Sequence, residues 1–594
     1  MPATRFHGWF VAATAALVLL LRLGGPALWD DDEPKNAACS LAMLDSHDWV
    51  VPTFNGRLRV EKPPLVNWIQ IAGFTVCGRN ETGARLGSAL LTVGTCLLTW
   101  LIGTTLLGPA VGLLGGLAMA TCVWTAVGGR AATPDAPLLF FTTLAACLFV
   151  RGAGIRAGTG GGVPALSLWP AVGIGFACGA ATLAKGPIGL VLPLLTFLAF
   201  TAWRRQSCPE VGWMAAISGI RPLTIVLAAT VVAAPWYAWV TLRTDGEWLR
   251  GFLFVHNVGR FASTMEGHSG SILYYPTVVA VGLFPWSIVL AAMLAHAACI
   301  LRAPAADDRR EPLQLLTCWA VVWIGAFSCA GTKLPGYVWP AYPALAIATG
   351  LFLSNWADGR AAFAWPHLPE RFRKLRLSSA DDADPLTGLV MRVAWSILAA
   401  TGLALAIGLP IAANRLAPGC EWLGVLGLIP LAAAGLAWRS QSAGMRPRAL
   451  AFLATAACLL VTLMASVAAE SFSRAQGPRT LVATLGEHAS ECDWACLWNV
   501  PPSLVFYTGA RIEKLDSADD VAAHLRRHPR SRVVIDSRQE SLVTASLPPD
   551  CGVLSRVPTL AEHDFLLLGR LPVHDTQPVH DTQLEHDTPL ACAD

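Results

Sequence analysis

Charge is scarce in this 594-residue chain: Asp, Glu, Lys and Arg make up 14% of it, against 54% apolar residues and 23 Trp. That balance excludes an ordinary soluble domain of this length and indicates a polytopic membrane protein. Net charge is equally small, +3, and widely scattered, which excludes nucleic acid as a partner. No small-residue cleavage site precedes the acidic stretch after the first apolar segment, Trp9 to Trp29, so that segment reads as a retained helix rather than a removed signal peptide. A disulfide framework is also missing, since most of the 16 Cys lie inside apolar runs and behave there as small hydrophobes. No nucleotide-phosphate loop is visible.

What is present is a long series of apolar runs, each near the roughly 17 to 25 residues that span a hydrocarbon core. They are Trp9 to Trp29, Ala84 to Leu107, Val111 to Val127, Ala136 to Val150, Leu168 to Ala184, Pro187 to Trp203, Leu223 to Val240, Pro276 to Ile300, Leu315 to Ala330, Tyr337 to Leu353, Val390 to Pro410, Trp422 to Trp438 and Leu450 to Ala468. The expectation is an all-α polytopic protein of about 13 transmembrane helices. Leu65 to Cys77 is apolar but short and follows a Pro-Pro pair, so it reads as a juxtamembrane helix. With that assignment the basic clusters at Arg151 and Arg156, Arg204 and Arg205, Arg302 to Arg310, Arg371 to Arg376 and Arg439 to Arg448 all fall on the cytoplasmic side. If the segment crossed, the later clusters would face outward.

The few remaining charges gather at the ends of apolar runs, in Asp30-Asp31-Asp32-Glu33, Glu61-Lys62-Pro63-Pro64, Arg130 to Asp135, Lys185-Gly186-Pro187 and Lys333-Leu334-Pro335-Gly336-Tyr337. On the topology above they share one outer face. Each alone also fits a bland role: a solvated helix cap, a Pro-fixed turn or a snorkelling lysine. Together, a carboxylate able to accept a hydroxyl proton and convergent cations suited to a phosphate amount to a candidate site. The stretch from His256 to Phe261, with Arg260, and the following His268 add an arginine and two imidazoles. One His with Glu61 suits a divalent metal ion, Zn, Mg or Mn.

In this order, with Phe284-Pro285-Trp286 and Tyr274-Tyr275 between, the motifs resemble the bacterial polyprenyl-phosphate-sugar glycosyltransferases of the GT-C superfamily. Lipid A aminoarabinose transferases and, more widely, protein mannosyltransferases are the members most similar. The resemblance covers roughly Trp9 to Leu353. It implies a polyprenyl-phosphate-linked sugar donor, a glycolipid or protein acceptor, an extracytoplasmic active site in a bacterial inner membrane, and inverting transfer. Carried over by position, it implies catalytic roles for Asp32, Glu33 and Asp135. Lys62, Arg130, Lys185, Arg260, Lys333 and Tyr337 become donor-phosphate positions, and Glu61 with His256 or His268 the metal position. Asn36 departs from the pattern, because relatives commonly carry Tyr three residues after the Glu.

The domain reading is a transmembrane glycosyltransferase domain over 1–469, with outer loops at 30–83 and 241–275. An extracytoplasmic α/β domain follows over 470–571, then a disordered tail over 572–594 that repeats His-Asp-Thr. In the α/β part, strands are expected at Cys496 to Val500, Arg532 to Ile535 and Phe565 to Leu568, and a helix from Ala518 to His528. Cys492, Cys496 and Cys551 are candidates for one disulfide there. Two other readings compete. A transporter or flippase of lipid-linked sugars would line a midplane pathway with charge and show an inverted repeat, neither of which is apparent. A catalytically dead scaffold would not keep every acidic and basic motif.

Overall fold

The computed structural model describes residues 2–29, 31–158, 162–259, 270–271, 273–302, 307–361, 385–473, 477–483, 491–558 and 563–571. Asp30, Arg260, Phe261, Gly267, His268, the Arg371 to Arg376 cluster and the His-Asp-Thr tail lie outside the described residues. The protein forms two compact units, Met1–Val482 with Pro501–Arg511, and Ala483–Val500 with Ile512–Asp594.

The first unit is a multi-pass membrane domain. Among the described residues, nine helices are long and apolar enough to cross a bilayer, or up to 11 if each of two bent pairs counts as one span. Its first half runs α1 (Pro2–Leu20), α2 (Asp32–Asp45), a hairpin of β1 (Thr53–Phe54) and β2 (Arg57–Leu58), α3 (Leu65–Cys77), α4 (Glu81–Leu107), α5 (Pro109–Ala120), α6 (Val123–Arg130), α7 (Asp135–Gly152) and α8 (Leu168–Lys185). Asn80 caps α4 by accepting the Gly83 N–H at 2.9 Å. The α4–α5 turn uses Gly108 at φ +100°, with Pro109 opening α5 where its missing N–H costs nothing.

Two expected single spans are broken. Val111 to Val127 becomes α5 and α6, bent by 58°, and Pro276 to Ile300 becomes Tyr274–Gly282 and Trp286–Arg302, bent by 119°. The two breaks lock into each other: the Val123 N–H donates to the Phe284 carbonyl at 3.0 Å, and Trp286 Nε1 donates to Thr121 Oγ1 at 2.9 Å. Backbone groups freed inside a bilayer need such partners. The first helix ends at Leu20 instead of reaching Trp29, because Gly24-Gly25-Pro26 turns the chain into an irregular linker. Leu65–Cys77 is the short apolar helix expected.

The second unit is a five-stranded mixed sheet in the order β4-β3-β5-β7-β6, made of β3 (Asp493–Leu497), β4 (Glu513–Leu515), β5 (Ser531–Asp536), β6 (Cys551–Val557) and β7 (Phe565–Arg570). The pairs β3–β4 and β3–β5 are parallel, and β5–β7 and β6–β7 antiparallel. The expected helix is present as Ala518–Arg527, capped by Ser517. β3 begins and ends earlier than Cys496 to Val500, because Trp498 turns at φ +64° ahead of two prolines. The expected disulfide is not formed among Cys492, Cys496 and Cys551. Cys496 and Cys551 sit on strands separated by β5 and β7, and four residues along an extended chain hold Cys492 and Cys496 roughly 13 Å apart, beyond disulfide reach.

Candidate functional site

The site starts at the α1–α2 linker. Asp32 and Glu33 fill the first turn of α2, where carboxylates complement the unpaired helix N–H groups, yet their surroundings are opposite. Asp32 is exposed. Glu33 is 5% exposed and receives Arg85 on both oxygens, at 2.8 and 2.7 Å, together with the N–H groups of Trp29 at 2.8 Å and Ala132 at 2.7 Å. Burial by itself would raise the Glu33 carboxyl, but Arg85 and the two peptide donors outweigh it and hold the group below its ordinary value. Four donors leave Glu33 no lone pair for a substrate proton. It acts as a strut, whereas the sequence suggested a catalytic partner of Asp32.

One helical turn on, Lys35 donates to Glu61 at 2.9 Å while Arg59 donates to its other oxygen at 3.1 Å. The β1–β2 hairpin, closed by Asn55-Gly56 with both residues at positive φ, delivers Arg59 and Glu61 to α2. Arg59 also donates to Asn36 Oδ1 at 2.7 Å, and Asn36 Nδ2 reaches the Ala132 carbonyl at 3.0 Å. Ser40, Asn67 and Gln70 complete this buried network, with Gln70 donating to the same carbonyl at 3.3 Å. Burial would push the Glu61 carboxyl up, but Arg59 and Lys35 hold it at about 2.

Linkage fixes a pH signature. A carboxyl lowered from 4.5 to about 2 on folding contributes stability that is complete above pH 4.5 and is lost as pH falls toward 2. The melting-temperature gap between the wild type and Glu61→Gln is therefore expected to stay constant from pH 7 to about 5 and to shrink below about 4.5. A gap that does not move in thermal melts across that range would remove the paired Glu61.

The Ala132 peptide joins this cluster to a second. Three residues later Asp135 opens α7 and pairs with Lys185, the last residue of α8, whose ammonium also lies 4.8 Å from the centre of the Tyr337 ring. Gly186 at φ +88° ends α8 there, and a Cβ on it would fall 2.6 Å from Phe252, so the close approach requires glycine. Phe252 belongs to an aromatic group with Trp236, Tyr237 and Trp248 and lies on the π-helix Gly251–Gly259 that carries His256. The Trp248 indole donates to the Arg59 carbonyl at 2.9 Å, so this group supports the Glu61 side of the site as well.

Two other expected cations bind backbone carbonyls. Arg130 donates to the carbonyls of Val18, Leu19, Leu21 and Arg22 at 2.9 to 3.3 Å and so caps the end of α1. Lys333 is 8% exposed and donates to the Ser328 and Ala330 carbonyls at 2.9 and 2.8 Å, past the end of Arg310–Ser328. Both complement helix C-termini. Lys62 is half-buried beside Glu61. Among the described residues no group of three His, Cys, Asp or Glu is arranged to hold a metal ion. Glu61 carries a cation on each oxygen, Lys35 on one and Arg59 on the other.

Sequence reasoning missed Lys35, Arg59 and Arg85. Arg85 was visible as a charge just inside the span beginning at Ala84, a position that seldom goes unpaired, and Asn55-Gly56 was the hairpin signal for Arg59.

Against known proteins, residues 61–242 match the family described as dolichyl-phosphate-mannose-protein mannosyltransferase. The chain is 30% identical over 347 residues to the undecaprenyl phosphate-alpha-4-amino-4-deoxy-L-arabinose arabinosyl transferase of Edwardsiella ictaluri, a match covering 58% of this chain and 59% of that one. It is 31% identical over 351 residues to the protein of the same name from Pseudomonas aeruginosa, covering 58% and 60%. The chain thus spans about three-fifths of the length of these curated relatives. In structure it is similar to ArnT from Cupriavidus metallidurans bound to undecaprenyl phosphate, with a TM-score of 0.71 over 95% of this chain and 98% of that one at 21% identity, and so shares its fold. Residues 61–242 therefore resemble the mannosyltransferase family in sequence, and the chain has the fold of ArnT.

Proposed function

We propose that this protein transfers a sugar, aminoarabinose- or hexose-like, from a polyprenyl-phosphate carrier to a lipid A-like glycolipid or a protein on the extracytoplasmic face of a bacterial inner membrane. The observation that carries the reading is an exposed carboxylate, Asp32, on a helix whose next turn holds Lys35, while Glu33 beside it holds the Ala132 peptide, three residues before the Asp135 that pairs with Lys185. In the reaction, the acceptor oxygen bonds to the anomeric carbon from the face opposite the phosphate. The carbon–oxygen bond to the phosphate breaks, polyprenyl phosphate leaves, and the hydroxyl proton passes to Asp32. Lys185 and Lys35 meet the charge developing on the leaving phosphate, and Tyr337 holds the Lys185 ammonium in place.

Likeness in sequence to undecaprenyl phosphate-alpha-4-amino-4-deoxy-L-arabinose arabinosyl transferases supports aminoarabinose as the sugar. In this reading α1 and Arg310–Ser328 also cross, which brings the spans to about thirteen and places Asp32, Lys185 and the C-terminal α/β unit outside. A divalent ion enters only where it displaces Lys35 from Glu61; metal content of the purified protein tests that.

Mass spectrometry of lipid extracts and membrane glycoconjugates, from cells with and without the chain, decides the function. An increment of one sugar on a lipid or protein, present only with the intact chain, is the expected result. Redistribution of a polyprenyl-linked sugar across the membrane with no altered glycoconjugate would replace transfer by transport.

A further inference from the structure

The linker Leu21–Trp29 has no regular structure, yet Leu23, Pro26, Ala27 and Leu28 are buried in it. Buried backbone without secondary structure must find partners, and here side chains supply them. Arg85 takes the carbonyls of Leu23, Pro26 and Ala27, and Glu33 takes the Trp29 N–H. The rest comes from late in the chain. The Ser473 hydroxyl accepts the Ala27 N–H, Arg479 donates to the Gly25 carbonyl at 2.9 Å, and the Tyr507 hydroxyl accepts the Leu28 N–H at 2.9 Å.

Tyr507 does more than accept. Its hydroxyl donates in turn to Glu81 at 3.1 Å, at the start of α4, and Arg479 approaches the same carboxylate at 3.4 Å. Burial, then the Glu81 charge, raises the phenol above its ordinary range, so it stays a neutral donor at any working pH. The short helix Pro502–Thr508 that carries it packs on α2, and Phe506 meets Phe74 of α3 with ring centres 6.5 Å apart. In chain order this helix lies between β3 and β4, but it belongs to the membrane unit.

We propose that Tyr507 is a positioning residue for transfer: by tying Leu28 to Glu81 it fixes the path of the linker and thereby the placement of Asp32 four residues further on. This rests on the glycosyltransferase reading above. Tyr507 touches neither donor nor acceptor. Its effect is on the alignment of the carboxylate with the acceptor hydroxyl, where a displacement of about 1 Å costs on the order of a hundredfold in rate.

The test is Tyr507→Phe in the full chain, which keeps the ring and removes one oxygen. With polyprenyl-phosphate-linked aminoarabinose as donor and lipid A as acceptor, kcat is expected to fall about tenfold or more while KM for the donor stays unchanged. Thermal stability should change little, and hydrogen exchange of the 22–29 backbone should quicken locally. Unchanged kcat, or exchange in 22–29 that matches the wild type, overturns the proposal. So does a fall in activity that follows only the loss of folded protein. If the wild type itself transfers no sugar, the functional reading fails, and the exchange measurement alone then decides whether Tyr507 holds the linker.

Discussion

Membranes carrying Asp32→Asn are expected to contain wild-type amounts of protein and to transfer sugar at least about a hundredfold more slowly. The two halves of that expectation have separate causes. Asp32 is exposed and, among the described residues, engages no partner that the fold depends on, so replacing its carboxylate by an amide should alter stability by no more than about 0.5 kcal/mol. The amide keeps the shape and loses the capacity to take a proton, so the acceptor hydroxyl must attack without a base. Transfer assays on equal amounts of folded protein check this, and unaltered turnover would take Asp32 out of the reaction.

Arg85→Ala should act in the opposite manner. It strips the buried Glu33 carboxylate of the cation paired with it and orphans three linker carbonyls, and breaking a buried pair of this kind costs about 3–5 kcal/mol. Folded yield and melting temperature, followed by size-exclusion fluorescence, are expected to collapse. Replacing both partners, Glu33→Met with Arg85→Met, removes the unpaired charge and should recover part of the loss. Full recovery is not expected, because Trp29 and Ala132 N–H and the linker carbonyls remain without partners. If Arg85→Ala melts like the wild type, the strut role of the pair is wrong.

Much of this architecture was readable in the sequence because bilayers impose long apolar runs and leave charge only where it has a use. The ends of α4, α7 and α8 fall within a few residues of the expected runs for that reason. The breaks in the two bent spans were not readable, since Thr121-Cys122 and Phe284-Pro285 are apolar enough to pass inside a run, and only the pairing of the two breaks makes them stable. At the site, the acidic and basic motifs were visible but their partners were not. Glu33 and Asp32 are adjacent and chemically alike, and what separates them is an arginine 52 residues away. Arg130 and Lys333 carried the same ambiguity: a cation after an apolar run suits a phosphate or a helix C-terminus equally, and only the carbonyls around each decide. In the C-terminal unit, β4 is three residues with two exposed, too short and polar to give a pattern.

The bond between Leu28 and Tyr507 joins residues 479 positions apart. During synthesis, α1, α2 and the lysines of the site are made long before residue 507 leaves the ribosome. A nascent chain therefore holds its acidic residue and its cations in place without the tie that fixes their alignment. Completion of the linker's contacts waits on translation of the C-terminal part.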